Sequence, residues 1–368
     1  MTRIALVLLA SAFCLTISCS RESRIHPGPP AGEVPVAFSV SVSQEELPAG
    51  TKASGEIIST EGLRSAGFGV FACYTGIRRY SESNVSADFM HNQQVSWNYD
   101  QSVWEYAPVK YWPAGEGNER VSFFAYAPYS DGDSSAPGSN PAGYCIPSFC
   151  DPREMTDPWI IYRIHPDPQK QVDLLYALPL LDRTRPETGH RLPFQMRHAL
   201  ACVGDGVSVR LSDALKTEID ATIGMHFEKV QILLAGVSIS YSLTPKARLV
   251  LWNQGEANWQ PISSEGGLAR RERVLLDVSA DEAVPLYISD GASSSDTPWT
   301  GSGAGMFYIP LEQGGYAQTA AVKVRYIVRS TQAGVTADLE HTRETTLYLS
   351  EWYREGKKLD INITLNQQ

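Results

Sequence analysis

Few residues in this chain are spaced for chemistry. Seven histidines (His26, His91, His165, His190, His198, His226 and His341) are scattered, and none stands in a His-Glu-x-x-His arrangement that would put two ligands on one helix face. Gly301-Ser-Gly-Ala-Gly305 lacks the Gly-x-Ser-x-Gly spacing of a nucleophile elbow. Asp131, Asp133 and Ser135 open like a calcium loop, but Ala136 stands where the sharp turn needs glycine, and Ala142 where a bidentate glutamate would close the cage. The reading is that the chain is no enzyme and holds no metal or cofactor. Two other kinds of chemistry remain. Cys19 comes after a short apolar run and is a candidate for lipid attachment, and Trp252, Trp259 and Trp299 are candidates for stacking on sugar rings.

The elements that would present these residues begin with an export signal. Arg3 and the apolar run Ile4 to Phe13 fit a secretion signal over residues 1–18, too short to span a bilayer. Lipid on Cys19 would tether the remaining chain to a membrane surface. Residues 19–35, rich in proline, glycine and arginine, fit a flexible linker. Of 368 residues, 41 are acidic and 31 are Lys or Arg, a net charge of −10 with no basic block, which argues against a nucleic-acid partner. Cys73 and Cys202 lie in apolar runs and read as small buried residues. Cys145 and Cys150 flank a short loop and could be a disulfide or two free thiols.

The body of the chain reads as all-β. Short runs such as Phe68–Tyr74, Val95–Tyr99, Val103–Tyr106, Val121–Tyr126, Gln171–Tyr176, Ala201–Leu211, Phe227–Ala235, Ala321–Val328 and Thr345–Leu349 are broken by turn residues. Asp213–Ile219 is the one helix candidate. The two ends are the cleanest strands. Val36, Phe38, Val40 and Val42 alternate with small or polar residues, as do Leu359, Ile361, Ile363 and Leu365. Such ends can close an ordinary sandwich or complete a neighbour's sheet. Leu181–Gly189 separates two apolar regions, so the expected division is 36–188 and 189–368.

The block Trp104-Glu-Tyr-Ala-Pro-Val-Lys-Tyr-Trp-Pro113, with Val121-Ser-Phe-Phe-Ala-Tyr-Ala-Pro-Tyr129 after it, resembles the fimbrillin-like family of type V pilins. Supporting pieces are Thr51-Lys-Ala53, Phe68-Gly-Val-Phe-Ala72, Asp173-Leu-Leu-Tyr-Ala177, Phe194-Gln-Met-Arg-His-Ala-Leu200 and Phe307-Tyr-Ile-Pro310. The resemblance implies two tandem transthyretin-like β-sandwiches with Greek-key-like topology. It also implies an outer-membrane lipoprotein of the cell surface, incorporated into fimbriae with other fimbrial subunits as partners. An arginine-specific protease would remove the first strand, and a terminal strand of the next subunit would fill the vacated groove. Carried onto this chain, the removed strand would be Val36 to Ser43 and the donor the segment around Leu359 to Leu365. Lys52 stands where many relatives have the cleaved arginine, and Arg64 is the next arginine. A chain that keeps its first strand would be an anchor or tip component, or a surface protein binding a host glycan or protein.

Overall fold

The second part of the aromatic block, from Val121, runs through the interior of the largest sheet, and Trp104 of its first part lies in an edge strand. A computed structural model describes residues 33–43, 55–56, 58–115, 117–132, 145–186, 190–262, 267–303, 305–311, 317–349 and 355–366. Among these, strands predominate. Arg120–Ala127 pairs antiparallel with Phe68–Gly76 on one side and with Leu175–Ala177 and Leu180–Arg183 on the other. Its run Val-Ser-Phe-Phe-Ala-Tyr-Ala is apolar without alternation because both faces are covered. Val121, Phe123 and Ala125 enter a first core that also holds Phe38, Phe68 and Phe194. Phe124 and Tyr126 enter a central core that also holds Tyr162, Leu249 and Trp259.

The sheet extends outward through Leu192–His198 to the edge strand Phe38–Val42, and at its other margin through Met90–Asn98 to Val103–Glu105. The central core is closed by a four-stranded sheet in which Trp159–Arg163 pairs with Lys246–Val250. A third core lies between two further sheets. One is built around Ala201–Leu211. The other is built around Lys229–Leu243 and carries the long hairpin Thr319–Gln332 and Val335–Tyr348.

The division expected near residue 188 does not coincide with a break in hydrogen bonding. Leu192–His198 belongs to the first sheet, and the Trp159–Arg163 ladder joins residues from both expected halves. The first core ends with Met196 and the third begins with Ala201, so the change of core falls at Arg197–Leu200. The central core is common property of both halves. The change of core falls at residues the central core also uses, since Ala199 and Leu200 belong to it.

The expected helix is present as Asp213–Thr222, with the Ser212 hydroxyl accepting from Leu215 N at 3.3 Å. A second, Thr60–Ala66, is capped by Ser59 and buries one side chain, Leu63, too little for a helical period to show in sequence. Cys145 and Cys150 are free thiols, as are Cys73 and Cys202. Burial pushes Cys145 and Cys150 up to about 11 and Cys73 and Cys202 up to about 12, so all four are protonated, unreactive core residues.

Gly204 interrupts Ala201–Leu211 at φ +77°, and there the ladder to the last strand shifts register. A Cβ at this position would meet the Tyr241 hydroxyl at 2.5 Å. Gly204→Ala should therefore lower unfolding stability by about 2–3 kcal/mol, since strain and a steric conflict add. Gly334→Ala, at φ +76° in the hairpin turn with open space around it, should cost about 1 kcal/mol. Denaturant unfolding of both variants checks the order.

Candidate functional site

Both alternating ends of the chain run parallel to consecutive stretches of one segment, Leu192–Leu211. Phe38–Val42 pairs with Leu192 to Met196, and Lys358–Leu365 pairs with Cys202 to Leu211. The backbone hydrogen bonds at the ends of these ladders use even-numbered residues of this spine. Leu192 N donates to Ala37 O (2.7 Å), and Met196 O accepts from Ser43 N (2.8 Å). Leu200 O then accepts from Gly356 N (2.7 Å), Cys202 N donates to Lys357 O (3.0 Å), and Ser212 N donates to Leu365 O (2.9 Å). The first and last strands thus lie one after the other along a single track.

The first strand is held on two sides. Before it joins the spine, Val36 N donates to Lys110 O and Val34 O accepts from Trp112 N, both at 2.9 Å. The Tyr106 hydroxyl donates to Val36 O at 2.8 Å. Val34, Val36 and Phe38 are buried, and Phe38 stacks on Phe194 at 5.6 Å with Phe68, Phe123 and Tyr106 around it. Val40 and Val42 are half-buried. The deep anchors therefore lie two residues earlier than the alternation suggests, with Val34 added to Val36 and Phe38.

The last strand buries Ile361 and Leu365 in the third core and leaves Leu359 and Ile363 half-covered. Among the described residues its only ladder is to the spine. Its other edge opens on a groove of about 630 Å³ whose far wall is Thr345, Leu347 and Leu349. Polar contacts clamp its root. Lys358 pairs with Asp205 at 3.0 Å, both nearly buried. Glu355 accepts from the Tyr176 hydroxyl and from Ala257 N (2.7 Å), and burial raises its carboxyl pKa against those two hydrogen bonds. Beside this root, His198 Nδ1 lies 2.7 Å from Asp173 Oδ2, which also accepts from Ile58 N. Burial pulls the imidazole pKa down, but the Asp173 hydrogen bond and charge outweigh it, and the net shift is upward. From sequence, His198 is expected to be a packed or hydrogen-bonded residue; nothing local pairs it with Asp173.

Cys19 and Lys52 lie outside the described residues. Arg64 is in the helix Thr60–Ala66, paired with Glu61 at 2.9 Å and set over the Trp97 ring at 4.6 Å. It is helical rather than part of an exposed extended loop, the usual setting for proteolytic nicking. The three tryptophans form no common platform. Trp259 is buried in the central core, its Nε1 donating to Ala199 O at 3.0 Å, and cannot stack on a sugar. Trp299 packs against the third core, and Trp252 lines a separate cleft.

No family model matches the chain, and no curated protein matches it. Among solved structures, it is similar to a fimbrial protein from Bacteroides vulgatus, with a TM-score of 0.60 and 19% identity over 90% of this chain and 95% of that one. It also aligns with a candidate cell adhesion protein from Bacteroides uniformis (TM-score 0.40, 13% identity, 90% of this chain and 94% of that one). A fimbrial assembly protein from Parabacteroides distasonis aligns too (TM-score 0.33, 8% identity, 90% and 91%). The first of these carries the conclusion about architecture: the chain has the mostly-β fold of a Bacteroides fimbrial protein, in keeping with the resemblance read from its aromatic block.

Two measurements check this geometry. Phe38→Ala should destabilise the protein by about 3–5 kcal/mol, the cost of emptying a fully buried aromatic site, whereas Val42→Ala should cost far less. The raised His198 pKa makes its contribution complete below about pH 6.5 and progressively lost as pH rises through the folded value. The stability difference between the parent and His198→Gln should therefore shrink as pH rises from 6 to 9, read as urea midpoints.

Proposed function

We propose that this chain is a structural subunit of a cell-surface fimbria, exported as a lipoprotein on Cys19 and assembled by exchange of terminal strands between copies. In this reading its two halves are tandem transthyretin-like sandwiches, and its partners are other fimbrial subunits. One observation supports it: the first strand lies at the edge of its sheet, parallel to the same spine that the last strand also pairs with in parallel. Removing it would uncover the apolar sites of Val34, Val36 and Phe38 and the hydrogen-bonding edge of Leu192 to Met196. Each such side chain is worth about 1.5–3 kcal/mol when buried, and a segment alternating like Leu359, Ile361, Ile363 and Leu365 matches the spacing of those sites. The ordering cost of the incoming segment offsets part of that gain.

Lys52 in place of arginine, together with the helical setting of Arg64, favours a second reading in which the first strand is retained. The chain would then serve as an anchor or tip that does not polymerise. N-terminal sequencing of the protein recovered from cell surfaces separates the two readings: a start at Ala53 or Ser65 marks a processed subunit, and a lipidated Cys19 marks a retained strand.

The assembly step is tested with a specific protease site placed within residues 44–54 of the full chain. Cut protein should form ladders of oligomers on sizing and native gels, and uncut protein should stay monomeric. Ile363→Asp should abolish the ladders while the subunit stays folded, since Ile363 is half-covered in its own domain. Ile361 is the wrong choice, because it is 4% exposed and an aspartate there would disrupt the subunit's own core. A cut chain that releases its first strand and remains monomeric would overturn the proposal.

A further inference from the structure

A polar cleft of about 410 Å³ lies away from the paired chain ends. Three separate segments meet there: the turn Tyr80–Glu82 with the residues after it, the stretch leading into Trp159–Arg163, and the chain just after Lys246–Val250. Its size falls within the range of about 300–1,000 Å³ found for small-molecule sites.

Its walls are built rigidly. The Tyr80 ring is buried against Phe124 at 5.2 Å, and its backbone N donates to Asp182 Oδ1 at 2.8 Å. The Tyr80 hydroxyl donates to Asp157 Oδ1 at 2.7 Å. Burial pushes this phenol far above its ordinary pKa, so it stays a donor. That hydrogen bond orients the Asp157 carboxylate and leaves Oδ2 without a hydrogen-bond partner among the described residues. On the other side, Trp252 is half-buried against the central core, and its carbonyl is held by Asn258 Nδ2 at 3.1 Å. Ser81, Ser83 and Asn84 add hydroxyl and carboxamide groups at the rim. Among the described residues, no lysine or arginine lines the cleft.

We propose that this cleft binds one or two rings of a neutral saccharide. A sugar ring offers an apolar C–H face and a periphery of hydroxyls. An aromatic face and a fixed carboxylate oxygen meet those two features, the carboxylate accepting from a pair of ring hydroxyls. The Asp157 carboxylate, with no lysine or arginine among the described lining residues, disfavours acidic sugars by like-charge repulsion and by leaving their carboxylates unpaired. The Tyr80–Asp157 pair alone could serve to tie two loops together, but that role would not need an indole beside it or an open volume of this size. The site stands independently of strand exchange, since it uses neither chain end.

The test is an array of neutral oligosaccharides ending in hexoses or N-acetylhexosamines, with sialylated forms beside them, probed with the full chain. The expected result is binding to members of the neutral set and none to their sialylated forms. Trp252→Ala should abolish that binding, and Trp299→Ala should leave it intact. Asp157→Asn keeps an acceptor for Tyr80 but turns the free oxygen into a donor. It should weaken binding by about tenfold or more, the loss expected when a hydrogen bond to a charged group is removed. It also serves as the deciding variant if Trp252→Ala fails to fold. Absence of binding to any neutral sugar, binding confined to sialylated sugars, or neutral-sugar binding unchanged in Asp157→Asn would overturn the proposal.

Discussion

The structure depends on parallel pairing of both chain ends to a single spine, Leu192–Leu211. Parallel neighbours cannot be joined by a tight turn, so strands adjacent in space here are far apart in sequence. The first strand reaches the spine across about 150 residues and the last reaches it from the other direction, a separation set by the ladder pairs Phe38 with Leu192 and Lys358 with Cys202. The last strand is held by its own side chains and one ladder, and the first strand adds backbone bonds to Lys110 and Trp112 to its ladder on the spine. Both strands therefore depend on partners far away in sequence, and the strand-exchange proposal rests on this placement.

Where the first strand's track stops and the last one's begins, the structure changes character. Apolar anchors give way to buried polar pairs: Asp173 with His198, Asp205 with Lys358, and Tyr176 with Glu355. Buried ion pairs are weak sources of net stability, because desolvation consumes most of their attraction, but breaking one partner away is costly. They hold the root of the last strand in register against a joint that draws residues from both halves. The shared central core ties residues from both halves together in the same way.

Much of the fold was legible in sequence. Where one face of a strand is wet, alternation marks it, as in Val36 to Val42 and Leu359 to Leu365. Where turn chemistry is local, it marks the break, as between Met90–Asn98 and Val103–Glu105. Other features were illegible for physical reasons. Val335–Tyr348 is a 14-residue strand exposed along almost its whole length, so nothing selects an apolar period in Thr-Ala-Asp-Leu-Glu-His-Thr-Arg-Glu. Its place is set by the ladder to Thr319–Gln332 and by the positive φ of Ala333 and Gly334 at the turn. Val34 does not show as an anchor because Pro35 interrupts the strand pattern, although backbone bonds to Trp112 hold it in place.

Composition and periodicity determined that the chain is mostly β, with strand-forming ends and an aromatic centre, because burial of one or both faces writes directly into residue order. They did not determine which strands neighbour which. Tertiary structure alone decided that Trp259 is buried while Trp252 faces a cleft. It alone set His198 against Asp173, and it placed the change from the first core to the third at Arg197–Leu200. Those outcomes come from contacts between residues distant along the chain, and a local pattern carries no record of its distant partner.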